Sequence, residues 1–163
     1  MRTIALPAFI LLLVLCIAQA VYYYPLLPDR VASHFGASGR PDAWSSKDTF
    51  VQIYLCAVAF IAILFPGLGC MLRTVPVSLI NLPNKDYWLS PERKQETVDV
   101  LSRQFLWSGS ATLLLLLDIF HQSFNVHLGK APALGHPAAS IAAYVVFSVL
   151  WSVHLIATFM RRP

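Results

Sequence analysis

TFVQIYLCAVAFIAILFPGLGCML, residues 49–72, contains no charged side chain from end to end. A run of this length meets the roughly 20 apolar residues that a helix needs to cross the hydrocarbon of a bilayer. Three other stretches read the same way, so spans are expected at about residues 4–24, 49–72, 104–124 and 138–160. Each must be helical, because inside lipid an isolated segment satisfies its backbone amides only by closing its own i to i−4 hydrogen bonds. The composition agrees: 57% of the 163 residues are hydrophobic and 12% charged, against roughly 25% charged in soluble domains. The fold class expected is all-α, a four-helix transmembrane bundle in one membrane domain, residues 1–163, with a compact outer loop at 25–48 and a cytoplasmic loop at 73–103 that carries an amphipathic helix.

The first span has a competing reading. Its apolar run ends in Ala18-Gln19-Ala20, which resembles the small-residue cleavage site of a secretory leader. The run is longer than a leader core, however, and Tyr22, Tyr23 and Tyr24 extend it as an interfacial belt, with Trp44 and Trp107 marking other interfaces. A retained span is the preferred expectation.

Basic residues set the orientation. Arg2, Arg73, Lys85, Arg93, Lys94, Arg103, Arg161 and Arg162 fall on one side, and Arg30, Arg40, Lys47 and Lys130 on the other. The positive-inside rule then puts both termini and the middle loop in the cytoplasm of a multi-pass inner-membrane protein. A net charge of +4 so distributed belongs to membrane flanks and excludes a nucleic-acid surface. Cys16, Cys56 and Cys70 are odd in number and lack CxxC spacing. They read as small buried hydrophobes rather than a disulfide framework.

Within the middle loop, Pro76 and Pro83 end the second helix, and Ser90-Pro91-Glu92 offers an N-cap, a proline at the first helical position and an acid near the positive end of the dipole. The helix expected there pairs Asp99 with Arg103 at i, i+4 and lines Val98, Leu101 and Phe105 on one face. It should lie along the inner surface before feeding the third span.

Asp118 is the residue most in need of explanation, because an acid near a helix centre costs roughly 2.5 to 3.5 kcal/mol on insertion scales. At about 1.5 Å per residue it lies near the level of Gln19, with His121 one turn above it. Gln52 and Tyr144 enter the same outer half. Gln19, Gln52, Asp118, His121 and Tyr144 are therefore expected to line an intramembrane polar pocket. Two readings stay open: a site for a proton, cation or small ligand, or interhelical hydrogen bonds that hold the bundle together. His154 lies roughly 12 Å deeper by the same arithmetic and reads as a packing histidine. His34, His121, His127 and His136 all fall in the outer half, yet no HExxH or i, i+4 pair joins them. No metal or cofactor is assigned, and no catalytic residue: GxSxG, P-loop and GxGxxG patterns are absent.

The first outer loop, YYYPLLPDRVASHFGASGRPDAWSSK from Tyr22 to Lys47, resembles the bacterial domain-of-unknown-function family 1648 that opens SdpI-type toxin-immunity membrane proteins. Leu27, Pro28, Asp29, His34, Phe35, Gly39, Pro41, Asp42, Trp44 and Lys47 carry the likeness, which covers the first two spans and the loop between them. Segment 80–105, INLPNKDYWLSPERKQETVDVLSRQF, resembles the inner loop of short relatives. SdpI-type proteins have further spans that this chain lacks. The resemblance thus implies a bacterial cytoplasmic-membrane protein but no reaction.

Read from its residues, the loop is a folded lid: Pro28 and Pro41 fix two φ angles, Gly36 and Gly39 permit positive φ, and Asp29, Asp42 and Asp48 balance Arg30, Arg40 and Lys47.

Three functions fit. The first is a non-enzymatic immunity or envelope-sensing protein whose outer loop meets a peptide or protein. The second is an ion- or proton-linked transport accessory centred on Asp118. The third is a metal-dependent membrane enzyme using the outer histidines. The partners that suit this architecture are the bilayer, a ligand at the outer face and further copies of the chain.

Overall fold

A computed structural model describes residues 4–161. Arg2 and Arg162, used above for orientation, lie outside them. Four helices are long and apolar enough to cross a membrane: α1 (Ala5–Tyr23), α2 (Lys47–Thr74), α4 (Lys94–His127) and α5 (Pro137–Met160). They make this a multi-pass membrane protein; three of the expected spans lie within them, and the first, 4–24, overruns α1 by one residue at each end.

The chain is not entirely helical. After one 3-10 turn at Tyr24–Leu26, residues Arg30–Phe35 (β1) and Pro41–Ser46 (β2) pair antiparallel, with the register broken around His34. This hairpin corrects the all-helical expectation. Its turn is closed by the Gly39 amide donating to the Gly36 carbonyl at 2.8 Å, and Gly39 takes φ +73°. Only the second glycine uses the left-handed region, which a Cβ disfavours; Gly36 does not. Ser46 caps α2 by accepting from the Thr49 amide at 3.1 Å.

The core lies where α1, α2 and α4 meet. Phe9 and Cys16 from α1, Tyr54 and Val58 from α2, and Leu113 and Phe124 from α4 are buried together. Small residues bring these helices close, as membrane helices require in the absence of a hydrophobic drive between them. Gly109 sits so tightly that a Cβ there would fall 2.7 Å from Phe9 and 2.8 Å from Phe65, and Gly69 faces Ser102. Cys16 is buried as expected, but Cys56 and Cys70 are exposed on the outside of the bundle, so only one of the three thiols packs inside; all three are free.

α5 packs chiefly on α4 and shows its outer face to lipid. His154 is exposed on that face rather than packed between helices. The end of α5 is secured by the middle loop. Asn84, at φ +51°, donates to the Met160 carbonyl at 2.9 Å, and the Trp88 indole donates to the Phe159 carbonyl at 2.8 Å. The last carbonyls of a helix have no partner within it, so this loop, with its short helix α3 (Lys85–Trp88), supplies a cap from a distant part of the chain.

The separate surface helix expected after Ser90 is instead the start of α4, which continues unbroken into the span. The amides of Arg93 and Lys94 both bond the Ser90 carbonyl, at 3.0 and 2.9 Å, so the backbone of Ser90, not its hydroxyl, receives the first turn. Asp99 pairs with Arg73 of α2 at 3.2 Å rather than with Arg103.

Candidate functional site: the hairpin and the Asp118 cluster

α4 carries Asp118 and Gln122 one turn apart on one face, and α5 begins beside them. The Asp118 Oδ2 accepts from Gln122 Nε2 at 2.8 Å and from the Ser140 hydroxyl at 2.6 Å, while Oδ1 lies 3.5 Å from His136 Nε2. Gln122 in turn accepts from the His136 amide at 2.9 Å. These donors, with the positive end of the α5 dipole one turn away, compensate the acid's cost. The cluster sits at the hairpin end of the bundle, at the head of a cleft of about 580 Å³ between α4 and α5, whose walls include Trp107, Leu114, Tyr144 and Phe147.

The five polar residues singled out from the sequence do not share one pocket. Asp118 borders two clefts, one on each side of α4. Tyr144 is in the α5 cleft and bonds Thr112 at 2.9 Å. Gln19 and His121 line a second cleft, of about 520 Å³, against α1. Gln52 is exposed on α2 and borders neither. Depth arithmetic places residues at a level but says little about which way they face; the His121 ring meets the Tyr23 hydroxyl at 3.3 Å instead of Asp118.

Gln19 acts as interhelical glue. Its Nε2 donates to the Leu117 carbonyl at 3.0 Å and its Oε1 accepts from the Tyr54 hydroxyl at 2.7 Å. Tyr54 itself is fully buried and stacked on Phe120.

The loop motif residues mostly meet one another. Lys47 Nζ pairs with Asp29 at 3.1 Å and the Lys47 amide bonds the Asp29 carbonyl, closing the hairpin at its base. His34 pairs with Asp42 across the strands. Phe35 stacks on His127, whose Nε2 donates to the Ala32 carbonyl at 3.2 Å. Val31 and Ala32 are fully buried against the bundle. Pro28 and Pro41 flank the strands, at the entry to β1 and the start of β2. Trp44 stands outward beneath the Arg30 guanidinium, 5.8 Å from its ring centre. Gly39 reaches furthest: its carbonyl accepts from the Leu134 amide at 2.9 Å, tying the hairpin to the α4–α5 loop that holds His136.

Residues 11–61 match the family model of a domain of unknown function, DUF1648. The matched segment runs from within α1, through the hairpin, to the middle of α2, about a third of the chain. No curated protein and no solved structure matches the sequence. The Asp118 cluster and α5 thus lie outside the DUF1648 segment, and the Gly39–Leu134 bond joins the two.

Gln122, Ser140 and His136 were not recognised from sequence as Asp118's partners. The i, i+4 spacing of Gln122 and the His136-Pro137 helix start were the available signals. Each outer histidine has a separate neighbour, and among the described residues no three His, Cys, Asp or Glu side chains converge as a metal site.

Proposed function

We propose that this is a non-enzymatic protein of the bacterial cytoplasmic membrane, with both termini in the cytoplasm, that serves immunity or envelope sensing by meeting a peptide or protein at its outward hairpin. One observation carries the reading. The hairpin is rooted on the bundle by the buried Val31 and Ala32 and by the His127 bond to the Ala32 carbonyl, while Arg30, His34, Asp42 and a Trp44 that is 52% exposed remain open. A rigid sheet displaying an indole next to a guanidinium has the composition of an interface hot spot. The Gly39–Leu134 bond supports a relay, because a partner that moves the hairpin also pulls on the loop that holds His136 against Asp118.

The test is a challenge of cells with a panel of membrane-active peptides, comparing wild type with Trp44→Ala and Arg30→Ala at matched membrane abundance. Loss of protection in both variants, with insertion unchanged, is the expected result. Protection by wild type that both variants retain would remove the hairpin from the function.

A further inference from the structure

The cleft between α4 and α5 has the chemistry of a receptor for a charged amphiphile, and this does not depend on the hairpin's role. From Trp107 to Asp118 it follows α4 for eleven residues, about 16 Å at 1.5 Å per residue, close to the roughly 15 Å of one leaflet's hydrocarbon. Its walls are mostly apolar along that length, with Leu114 and Phe147 among them, and the Tyr144 hydroxyl there is engaged by Thr112. Polarity gathers at the hairpin end, where the Asp118 side chain remains 36% exposed. The two carboxylate oxygens are not equally engaged: Oδ2 holds both short hydrogen bonds, and among the described residues Oδ1 has only the His136 contact at 3.5 Å. An anionic oxygen with spare capacity at the head of a leaflet-length apolar groove complements a cationic head on an apolar tail.

We infer that the α4–α5 cleft binds a single-chain amphiphile with an ammonium head, drawn from the surrounding bilayer, with the ammonium donating to Asp118 Oδ1 and the tail running away from the hairpin toward Trp107 and Phe147.

The experiment uses the full chain in phosphatidylcholine nanodiscs and two photoreactive probes with the same diazirine-bearing dodecyl tail, one ending in a primary amine and one in a sulfate. After ultraviolet crosslinking, peptide mapping is expected to find the amine on 107–118 and 143–147, about tenfold above the sulfate, the scale of one charge-assisted hydrogen bond. Asp118→Asn should remove that preference. Ala143→Phe, at an exposed position on the cleft wall, should block labelling by filling the groove while leaving the carboxylate intact, so the test does not rest on one variant's folding. Equal labelling by both probes, label spread evenly over the lipid faces of α1 and α2, or amine labelling unchanged in Ala143→Phe would overturn the assignment.

Discussion

Replacing Gly109 by alanine tests the three-helix seam that positions everything above it. The added Cβ would lie 2.7 Å from Phe9 Cε2, and 2.8 and 2.9 Å from Phe65 Cγ and Cδ2. Phe9 is almost wholly buried, so its ring has no free space to retreat into. Overpacking of this sort costs about 1–3 kcal/mol. Alanine also helps any helix interior by about 1 kcal/mol relative to glycine, and that gain must be separated from the overlap. Gly67, on α2, provides the control, since a Cβ there meets nothing within 4 Å. Both variants receive the same propensity gain, so the difference in their unfolding free energies isolates the overlap at about 1–3 kcal/mol. Unfolding in mixed micelles of rising sodium dodecyl sulfate content, followed by tryptophan fluorescence, measures it. Gly109→Ala should fall below wild type or match it, and Gly67→Ala should match or exceed it. Equal stability of the two variants would refute the close approach of α1, α2 and α4 at this level.

Other outcomes follow from single contacts. Tyr54→Phe removes the hydroxyl that Gln19 Oε1 accepts from, and should cost about 0.6 kcal/mol in the same assay, the average for interhelical hydrogen bonds in membranes, and no more than about 1.7 kcal/mol. Trp88→Phe keeps an aromatic ring against Phe159 but deletes its indole donor; a loss of about 1 kcal/mol should appear as faster amide exchange in the last turn of α5. Gly39→Ala forces a Cβ into a φ of +73° and to 3.2 Å from the Leu134 carbonyl. With a left-handed residue costing roughly 1–2 kcal/mol, exchange of the Leu134 amide should rise about tenfold while the core of α4 is unaffected.

The helices were legible because each apolar run is long enough that no other structure satisfies its backbone in lipid. Pro66 does not disturb this for residues 49–72, since membrane helices tolerate such breaks. The hairpin was less visible. RVASHF alternates poorly, with Val31 and Ala32 adjacent and both buried, and its pairing depends on the turn at Gly39 and the Asp29–Lys47 closure, contacts that only the folded loop creates. The middle loop's service to α5 could not be read locally either, because Trp88 and Phe159 are far apart in sequence.

For the Asp118 cluster, the sequence indicated that an acid must be compensated but not by what. Level along the membrane normal is a matter of residue count. Direction around the helix depends on packing, and packing turned His121 toward Tyr23, placed Ser140 and Gln122 on Asp118, and left Gln52 outside. Asp99 chose Arg73 over Arg103 for the same reason: the neighbouring helix brought the guanidinium within reach.

Thiol labelling of intact cells addresses the placement of the hairpin outside the membrane most directly. In a chain whose three native cysteines are replaced by alanine, Ala43→Cys on β2 and Glu92→Cys before α4 each offer one exposed position. A membrane-impermeant maleimide should label position 43 in intact cells and position 92 only after permeabilisation. The reverse pattern, with position 92 reacting first and position 43 protected, would contradict the account.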